Sequence, residues 1–155
     1  MPVSKILPLL NEKESLFRLF ETHTENMLDC SSELLKDNID MREGLIEKID
    51  ELDFKIKSIT DELEDGEIIQ SAIKGRIDYS DLPEYVIPVF ETAAKIRSII
   101  SRLPEVEIQV SMRLRVEQEH LLNLIKLNNK GVSAQAAKFY SGSDSEIQKS
   151  KGIKA

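Results

Sequence analysis

Residues 103–128, LPEVEIQVSMRLRVEQEHLLNLIKLN, decide the fold. At about 100° of rotation per residue, a helix places seven of their apolar side chains within a sector about 100° wide. This main stripe consists of Leu103, Val106, Val110, Leu114, Leu121, Leu124 and Ile125. A weaker second stripe runs along the opposite side and consists of Ile108, Met112, Val116 and Leu127. Because one neighbouring helix cannot cover two opposite sides, the stretch predicts a helical bundle with apolar surface left over for another protein.

The composition favours a single all-α domain. The chain has 155 residues, of which 32% are charged and 5% aromatic, with no Trp and six Gly, as is typical of long helices. Residues 1–70 carry 8 basic and 18 acidic side chains, whereas residues 71–155 carry 13 and 10. Phosphate binding needs clustered Lys and Arg, so this balance argues against a nucleic-acid partner.

The sequence predicts a cytoplasmic protein that does not insert into a membrane. Cys30 is the only cysteine, which excludes an intrachain disulfide and favours a reducing compartment. No apolar run approaches the ~18 residues that span a bilayer. The first ten residues, MPVSKILPLL, have no small-residue cleavage site typical of a signal peptide.

Helical periodicity predicts an antiparallel hairpin in the first half of the chain. Helix one is predicted at about 5–36, with Thr24 and Ser31 bonding back to the carbonyl four residues earlier. The stretch KDNID, residues 36–40, is expected to separate it from helix two, with Asn38 or Asp40 as the cap. Helix two, at about 41–63, carries a coiled-coil seam of Leu45, Ile49, Leu52, Ile56, Ile59 and Leu63. One long helix with a defect at Asn38 remains an alternative.

The second half predicts a long, proline-kinked third helix. Residues 64–82 are expected to form an irregular connector with a helical turn around residues 68–73. Helical segments follow at about 83–102 and 104–130, and because RLPEV lacks turn-forming residues, Pro104 is expected to kink one helix rather than form a hairpin. Gly131 could end that helix, and residues 132–140 are predicted to be helical conditionally, on a partner. The predicted fold is an all-α, elongated antiparallel helical bundle or coiled-coil hairpin over residues 1–140, followed by a disordered tail, 141–155.

No pattern in the sequence predicts catalysis, a cofactor or a metal. Glu117 and His120 have the spacing of a di-iron ligand pair, but a second such pair is missing. DELEDGEII, residues 61–69, resembles the start of a calcium loop whose closing carboxylate is replaced by Ala72. Cys30 has no basic neighbour to activate it. A non-enzymatic protein without cofactors is therefore expected.

Glu117 falls inside the apolar sector of residues 103–128. A carboxylate there needs compensation, which Arg113 one turn earlier or Arg97 could provide. A local pair that fixes the register of the helix is the favoured interpretation.

The excess of apolar side chains predicts a protein–protein contact. One candidate is the second stripe, which could instead be core between helices one and two or the face of a homodimer. The other is the end stretch with Val132, Phe139 and Tyr140, which helices one and two are too short to cover. Methionine and long aliphatic side chains suit adaptable helix-in-groove contacts.

Residues 41–59, MREGLIEKIDELDFKIKSI, resemble the second helix of FlgN-like flagellar export chaperones of Gram-positive bacteria. The resemblance lies in heptad leucines and an Ile-Asp-x-Leu-Asp step, in Arg42, Leu45, Ile46, Ile49, Asp50, Leu52 and Asp53. The glutamate-rich LLNEKESLFRLFE, the asparagine-containing LIKLNNK and the late KFYSG extend it in outline over most of the chain.

The resemblance implies a cytoplasmic type III export chaperone that holds hook-associated or filament-cap proteins before secretion. In that family the C-terminal helical region protects the amphipathic terminal helices of these partners, and the export apparatus is a further expected partner. In this sequence the corresponding contacts would be Leu121, Leu124, Ile125, Val132, Phe139 and Tyr140. The alternative hypothesis is a structural coiled-coil homodimer or scaffold that uses helix two and the second stripe.

Overall fold

The computed structural model describes the backbone of residues 3–139 and the side chains of residues 3–127. Within that range the chain is all-α, as predicted, and contains no strand. The four helices are α1 (Val3–Asn26), α2 (Ser32–Asp61), α3 (Gly66–Lys74) and α4 (Ile87–Phe139). Two short 3₁₀ segments, Tyr79–Asp81 and Glu84–Val86, lead into α4. The chain divides into two compact units, Met1–Val110 and Ser111–Ala155.

Helices α1 and α2 form the antiparallel hairpin that the heptads predict. Lys13 near the middle of α1 pairs with Asp53, and His23 near the turn contacts Asn38, so later positions in α1 meet earlier positions in α2. The predicted seam packs against α1 in the core. Four of its residues keep only 4–8% of their surface exposed: Leu45, Ile49, Leu52 and Ile56.

The turn between α1 and α2 lies earlier than predicted. Helix α1 ends at Asn26 rather than near residue 36, and α2 begins at Ser32 after the N-cap Ser31. Asn38 is therefore an interior residue of α2: its Nδ2 donates to the Leu34 carbonyl, and its Oδ1 lies 3.0 Å from His23 Nδ1. These contacts satisfy the hydrogen-bonding groups of Asn38, so this polar residue does not interrupt the helix. The predicted back-bond of Thr24 is confirmed, since its hydroxyl donates to the Phe20 carbonyl at 2.7 Å. The same prediction for Ser31 is wrong, because Ser31 lies between the helices as the extended N-cap of α2.

Helix α3 confirms the helical turn predicted in the connector. Its first residue, Gly66, is buried so closely against the end of α2 that a Cβ there would lie 1.9 Å from the Thr60 carbonyl oxygen. Gly75 ends α3 in the left-handed conformation with φ 67°, which glycine adopts at little cost. The connector thus has a defined path against α2.

Helix α4 is continuous through Pro104, as predicted, and the hairpin alternative is wrong. Pro88 lies in its first turn, where a missing backbone N–H costs little. The helix also continues through Gly131 to Phe139, so Gly131 does not end it. Whether residues 132–140 need a partner to be helical stays a prediction, and the tail at 141–155 lies outside the described residues.

The core of the first unit consists of two clusters. The first joins α1, α2, α3 and the start of α4 through Val3, Ile6, Leu10, Ile56, Ile69, Ala72, Leu82, Val86, Val89 and Ile96. The second lies nearer the turn of the hairpin and contains Leu16, Phe20, Leu45, Ile49, Leu52 and Leu103. Leu103, the first residue of the main stripe, therefore packs directly on the hairpin.

Candidate partner-binding surface

The main stripe changes from buried to exposed along α4. In the first unit, Leu103 and Val110 keep 8% and 1% of their surface exposed. In the second unit Leu114 is half-buried, whereas Leu121, Leu124 and Ile125 are exposed by 58%, 43% and 43%. The same periodic pattern therefore serves as core at one end of the helix and presents bare aliphatic side chains at the other.

The second stripe is exposed at every position. Ile108 in the first unit is 63% exposed, so its interpretation as core is wrong. In the second unit Met112, Val116 and Leu127 are exposed by 62%, 62% and 63%. Side chains from both stripes are thus accessible between residues 112 and 127, on opposite sides of one helix.

Three predicted contact residues cannot be placed. The side chains of Val132 and Phe139 lie outside the described residues, although the backbone at both positions is helical. Tyr140 lies outside the described residues altogether. The candidate surface is therefore defined here by residues 112–127.

Arg42 is a structural contact that local sequence patterns did not predict. Its Nη2 donates to Glu107 at 2.5 Å, its Nη1 contacts Met27 Sδ at 3.2 Å, and its guanidinium lies 4.7 Å from the centre of the Phe20 ring. The Arg42 side chain thus joins α2 to α1 and to α4. Its partner in α4, Glu107, lies three residues before Val110, the last buried residue of the main stripe. Only its place in the residues that resemble FlgN-like chaperones had singled it out.

Glu117 and Arg97, two charged residues of α4 considered as a pair in the sequence, have different partners. Arg113 and Glu117 lie 3.6 Å apart and are only 19% and 25% exposed, which confirms the predicted pair on the apolar face. Arg97 has a different role from the one considered. It donates to the carbonyls of Ile73 and Ala72 at 2.6 and 3.3 Å and lies over the Phe90 ring, so it holds the end of α3 against α4.

The described residues hold no group of three or more His, Cys, Asp or Glu side chains placed to bind a metal. In the calcium-like stretch, Asp65 accepts a hydrogen bond from the Tyr85 hydroxyl at 2.6 Å. This carboxylate raises the pKa of Tyr85, because the hydrogen bond stabilises the protonated phenol. Asp61 is paired with Lys57 at 2.9 Å. Both carboxylates therefore have protein partners.

A polar chain near the hairpin turn links the single cysteine to a histidine. Asn38 Nδ2 contacts Cys30 Sγ at 3.8 Å, and Asn38 Oδ1 lies 3.0 Å from His23 Nδ1. In a thiol–imidazole catalytic pair the imidazole itself takes the proton of the sulfur, and the amide orients the far side of the ring. Here the Asn38 amide lies between the thiol and the imidazole, and its contacts connect the end of α1, the turn and α2.

Over residues 3–139 none of the helices combines the length and apolarity that a membrane span requires. Comparisons of the chain with protein-family models, curated proteins and solved structures find no match.

Proposed function

We propose that this protein is a cytoplasmic flagellar type III export chaperone that binds the amphipathic terminal helices of hook-associated or filament-cap proteins before secretion. The observation that supports the proposal is the transition along α4, where the main stripe leaves the core after Val110 and is exposed at Leu121, Leu124 and Ile125. The resemblance of residues 41–59 to FlgN-like chaperones supplies the class of partner. No catalytic step is part of the proposal.

Hydrophobic burial would drive the association. Fully burying one leucine or isoleucine is worth about 1.5–3 kcal/mol, and the three exposed side chains of the main stripe lie within five residues. A client helix that lies along them would cover its own apolar face at the same time, as in other helix-in-groove complexes. The cost of ordering the client helix would limit the affinity, which suits a chaperone that must release its client.

The first test removes aliphatic surface from the second unit. In the variant Leu121→Ala with Leu124→Ala, we expect binding of a client peptide to weaken at least about thirtyfold, because two leucine contacts of roughly 1–2 kcal/mol each are lost. The peptide has the sequence of the C-terminal amphipathic helix of a hook-associated protein, and isothermal titration calorimetry with the full chain measures its Kd. Because both leucines are exposed, we expect the unfolding free energy to change by less than about 1 kcal/mol.

A matched control removes the same kind of surface elsewhere. Leu19 and Ile46 are exposed by 50% and 45% in the first unit, so Leu19→Ala with Ile46→Ala should leave the Kd unchanged. A peptide of the same composition with a scrambled apolar face should not bind. Equal weakening by both double variants, or no binding of the native peptide to the unaltered chain, would contradict the proposal.

A homodimer is the second candidate function, and one observation favours it. Met112 and Val116, on the side of α4 opposite the main stripe, are each 62% exposed. A second copy of the chain could cover them. The seam of α2, the other surface considered for a dimer, is buried against α1 within one chain. Of the two surfaces considered for a dimer, the second stripe on α4 is the exposed one.

A further inference from the structure

The first unit contains a cavity that the proposed chaperone function does not use. It has a volume of about 750 Å³ and is lined by residues from α1, α2, α3 and the first half of α4. This volume falls within the range of about 300–1,000 Å³ that is usual for small-molecule sites. Its apolar lining comes from six side chains: Leu10, Ile56, Ile73, Ala93, Ile96 and Ile100.

The charged lining of the cavity is basic, although the unit around it is acidic. Residues 1–110 contain 13 basic and 24 acidic side chains. The cavity lining contains two acidic residues, Asp53 and Asp61, and five basic ones: Lys13, Lys57, Lys74, Arg76 and Arg97. The cavity lining therefore has a net positive charge, whereas the unit as a whole has a net negative charge. An anion would be attracted to the lining and repelled by the rest of the unit.

Protein contacts account for three of the five basic side chains. Lys13 pairs with Asp53, and Lys57 pairs with Asp61. Both acidic residues of the lining are therefore already paired with lysines. Arg97 is held by the carbonyls at the end of α3 and by Phe90. Because its positive charge lies on these carbonyls, it offsets the negative end of the α3 dipole, which would otherwise disfavour an anion.

The remaining two basic side chains lie together at the end of α3. Lys74 is the last residue of the helix and Arg76 follows its cap, Gly75. Both are exposed, and neither side chain has an ion-pair or hydrogen-bond partner among residues 3–127. The cavity thus combines an apolar floor with two cationic groups that no carboxylate of the described chain neutralises.

We propose that this cavity binds a small amphipathic carboxylate of the fatty-acid type. The aliphatic part would lie on the floor formed by the isoleucines of α2, α3 and α4, and the carboxylate would pair with Lys74 and Arg76. A guanidinium suits a carboxylate because it can donate two parallel hydrogen bonds, and a lysine adds a flexible point charge. The site belongs to the first unit and is independent of the proposed client surface.

The test uses sodium dodecanoate below its micelle-forming concentration, with the full chain and isothermal titration calorimetry. We expect saturable binding of one molecule, weakened about tenfold in the variant K74Q/R76Q because two partly exposed ion pairs are lost. The matched control K48Q/K95Q removes two exposed charges of the same unit that do not line the cavity. We expect it to retain the affinity of the unaltered chain to within about twofold.

Two further measurements separate this site from simple adsorption to apolar surface. Dodecyltrimethylammonium has the same alkyl chain with the opposite charge, and we expect it to bind at least about tenfold more weakly than dodecanoate. Amide chemical shifts should change around Ile73 and Ala93, which line the cavity. Equal binding of the two amphiphiles, an unchanged affinity in K74Q/R76Q, or shifts confined to residues after Ser111 would overturn the proposal.

Because all four substituted residues are exposed, thermal unfolding should show that both double variants remain folded. A third variant, I100E, places a carboxylate on the cavity floor at a side chain that is already 42% exposed. It should abolish dodecanoate binding by charge repulsion, and retention of binding in this variant would also overturn the proposal.

Discussion

Gly44 and Gly66 have opposite structural roles within the first unit. A Cβ at Gly44, inside α2, would meet no atom within 4 Å, whereas a Cβ at Gly66 would lie 1.9 Å from the Thr60 carbonyl oxygen. A backbone atom cannot move aside as the end of a flexible side chain can. Gly66 therefore allows α3 to begin directly against the end of α2.

We predict that Gly66→Ala lowers the unfolding free energy by about 2–4 kcal/mol, because α3 must move away from α2 and lose the packing of Ile69 and Ala72. The matched variant Gly44→Ala should raise it by about 0.5–1 kcal/mol, since alanine loses less backbone entropy in a helix. Urea unfolding of the three proteins measures both changes. A Gly66→Ala protein as stable as Gly44→Ala would show that the contact with Thr60 is unimportant.

Single residues also mark the limit of what the sequence could predict. The back-bond of Thr24 follows from a local rule and was predicted correctly. Asn38 was misjudged as a helix breaker because part of its compensation, the contact of its Oδ1 with His23, comes from another helix. The role of Arg42 depends on Glu107, 65 positions away, and no local pattern contains that information.

Between elements, one ion pair joins α1 to α4. Arg102 donates to both carboxylate oxygens of Glu21 at 2.9 Å, and the Glu21 side chain is only 16% exposed. The hydrogen bond from Arg102 lowers the pKa of Glu21, because it favours the ionised carboxylate. The pair should therefore make the stability of the first unit depend on pH.

We predict that Glu21→Gln costs about 0.5–1 kcal/mol of unfolding free energy at pH 7, as is usual for a partly exposed pair. Because the folded pKa lies below the unfolded value of about 4.3, the contribution is complete above that pH and is lost as the pH falls through the folded pKa. The difference between variant and unaltered chain should thus disappear at sufficiently acidic pH. The control Glu12→Gln changes an exposed carboxylate with no ion pair among residues 3–127, so at pH 7 its unfolding free energy should equal that of the unaltered chain. A loss for Glu21→Gln that is independent of pH would argue against the pair as its cause.

At the scale of elements, periodicity predicted the hairpin seam, and the lack of turn-forming residues around Pro104 predicted the continuity of α4. Both depend on residues close in sequence, whereas α3 was expected only as a helical turn inside an irregular connector. The turn was placed about ten residues too late because the apolar face of α1 continues into α2 without a change of period. Ser31, the N-cap of α2, was not recognised as a cap because the apolar residues on both sides of it fit one continuous helical face.

For the whole molecule, the state of association separates the two candidate functions. We predict that the protein is monomeric in sedimentation velocity runs up to about 50 μM, because a chaperone surface should stay open for its client. A concentration-dependent dimer that is removed by Met112→Ser with Val116→Ser would favour the homodimer instead. The exchange Leu19→Ser with Leu34→Ser, at two exposed residues of the first unit, is the control and should have no effect on association.

The candidate surface was only partly predictable from the sequence. The two stripes of α4 could be identified from periodicity, but periodicity does not tell which part of a stripe is covered. That depends on where the hairpin ends, and the hairpin was predicted with its turn in the wrong place. The burial of Val110 and the exposure of Leu121 are consequences of three-dimensional packing.

The arrangement of α4 has an evolutionary consequence. Since Leu103 and Val110 pack in the core whereas Leu121, Leu124, Ile125 and Leu127 are exposed, changes at those last four positions should carry little thermodynamic penalty. Descendants of this chain could therefore acquire new binding preferences by drift in a single helical segment, and a protein engineer could retarget it by grafting that segment alone.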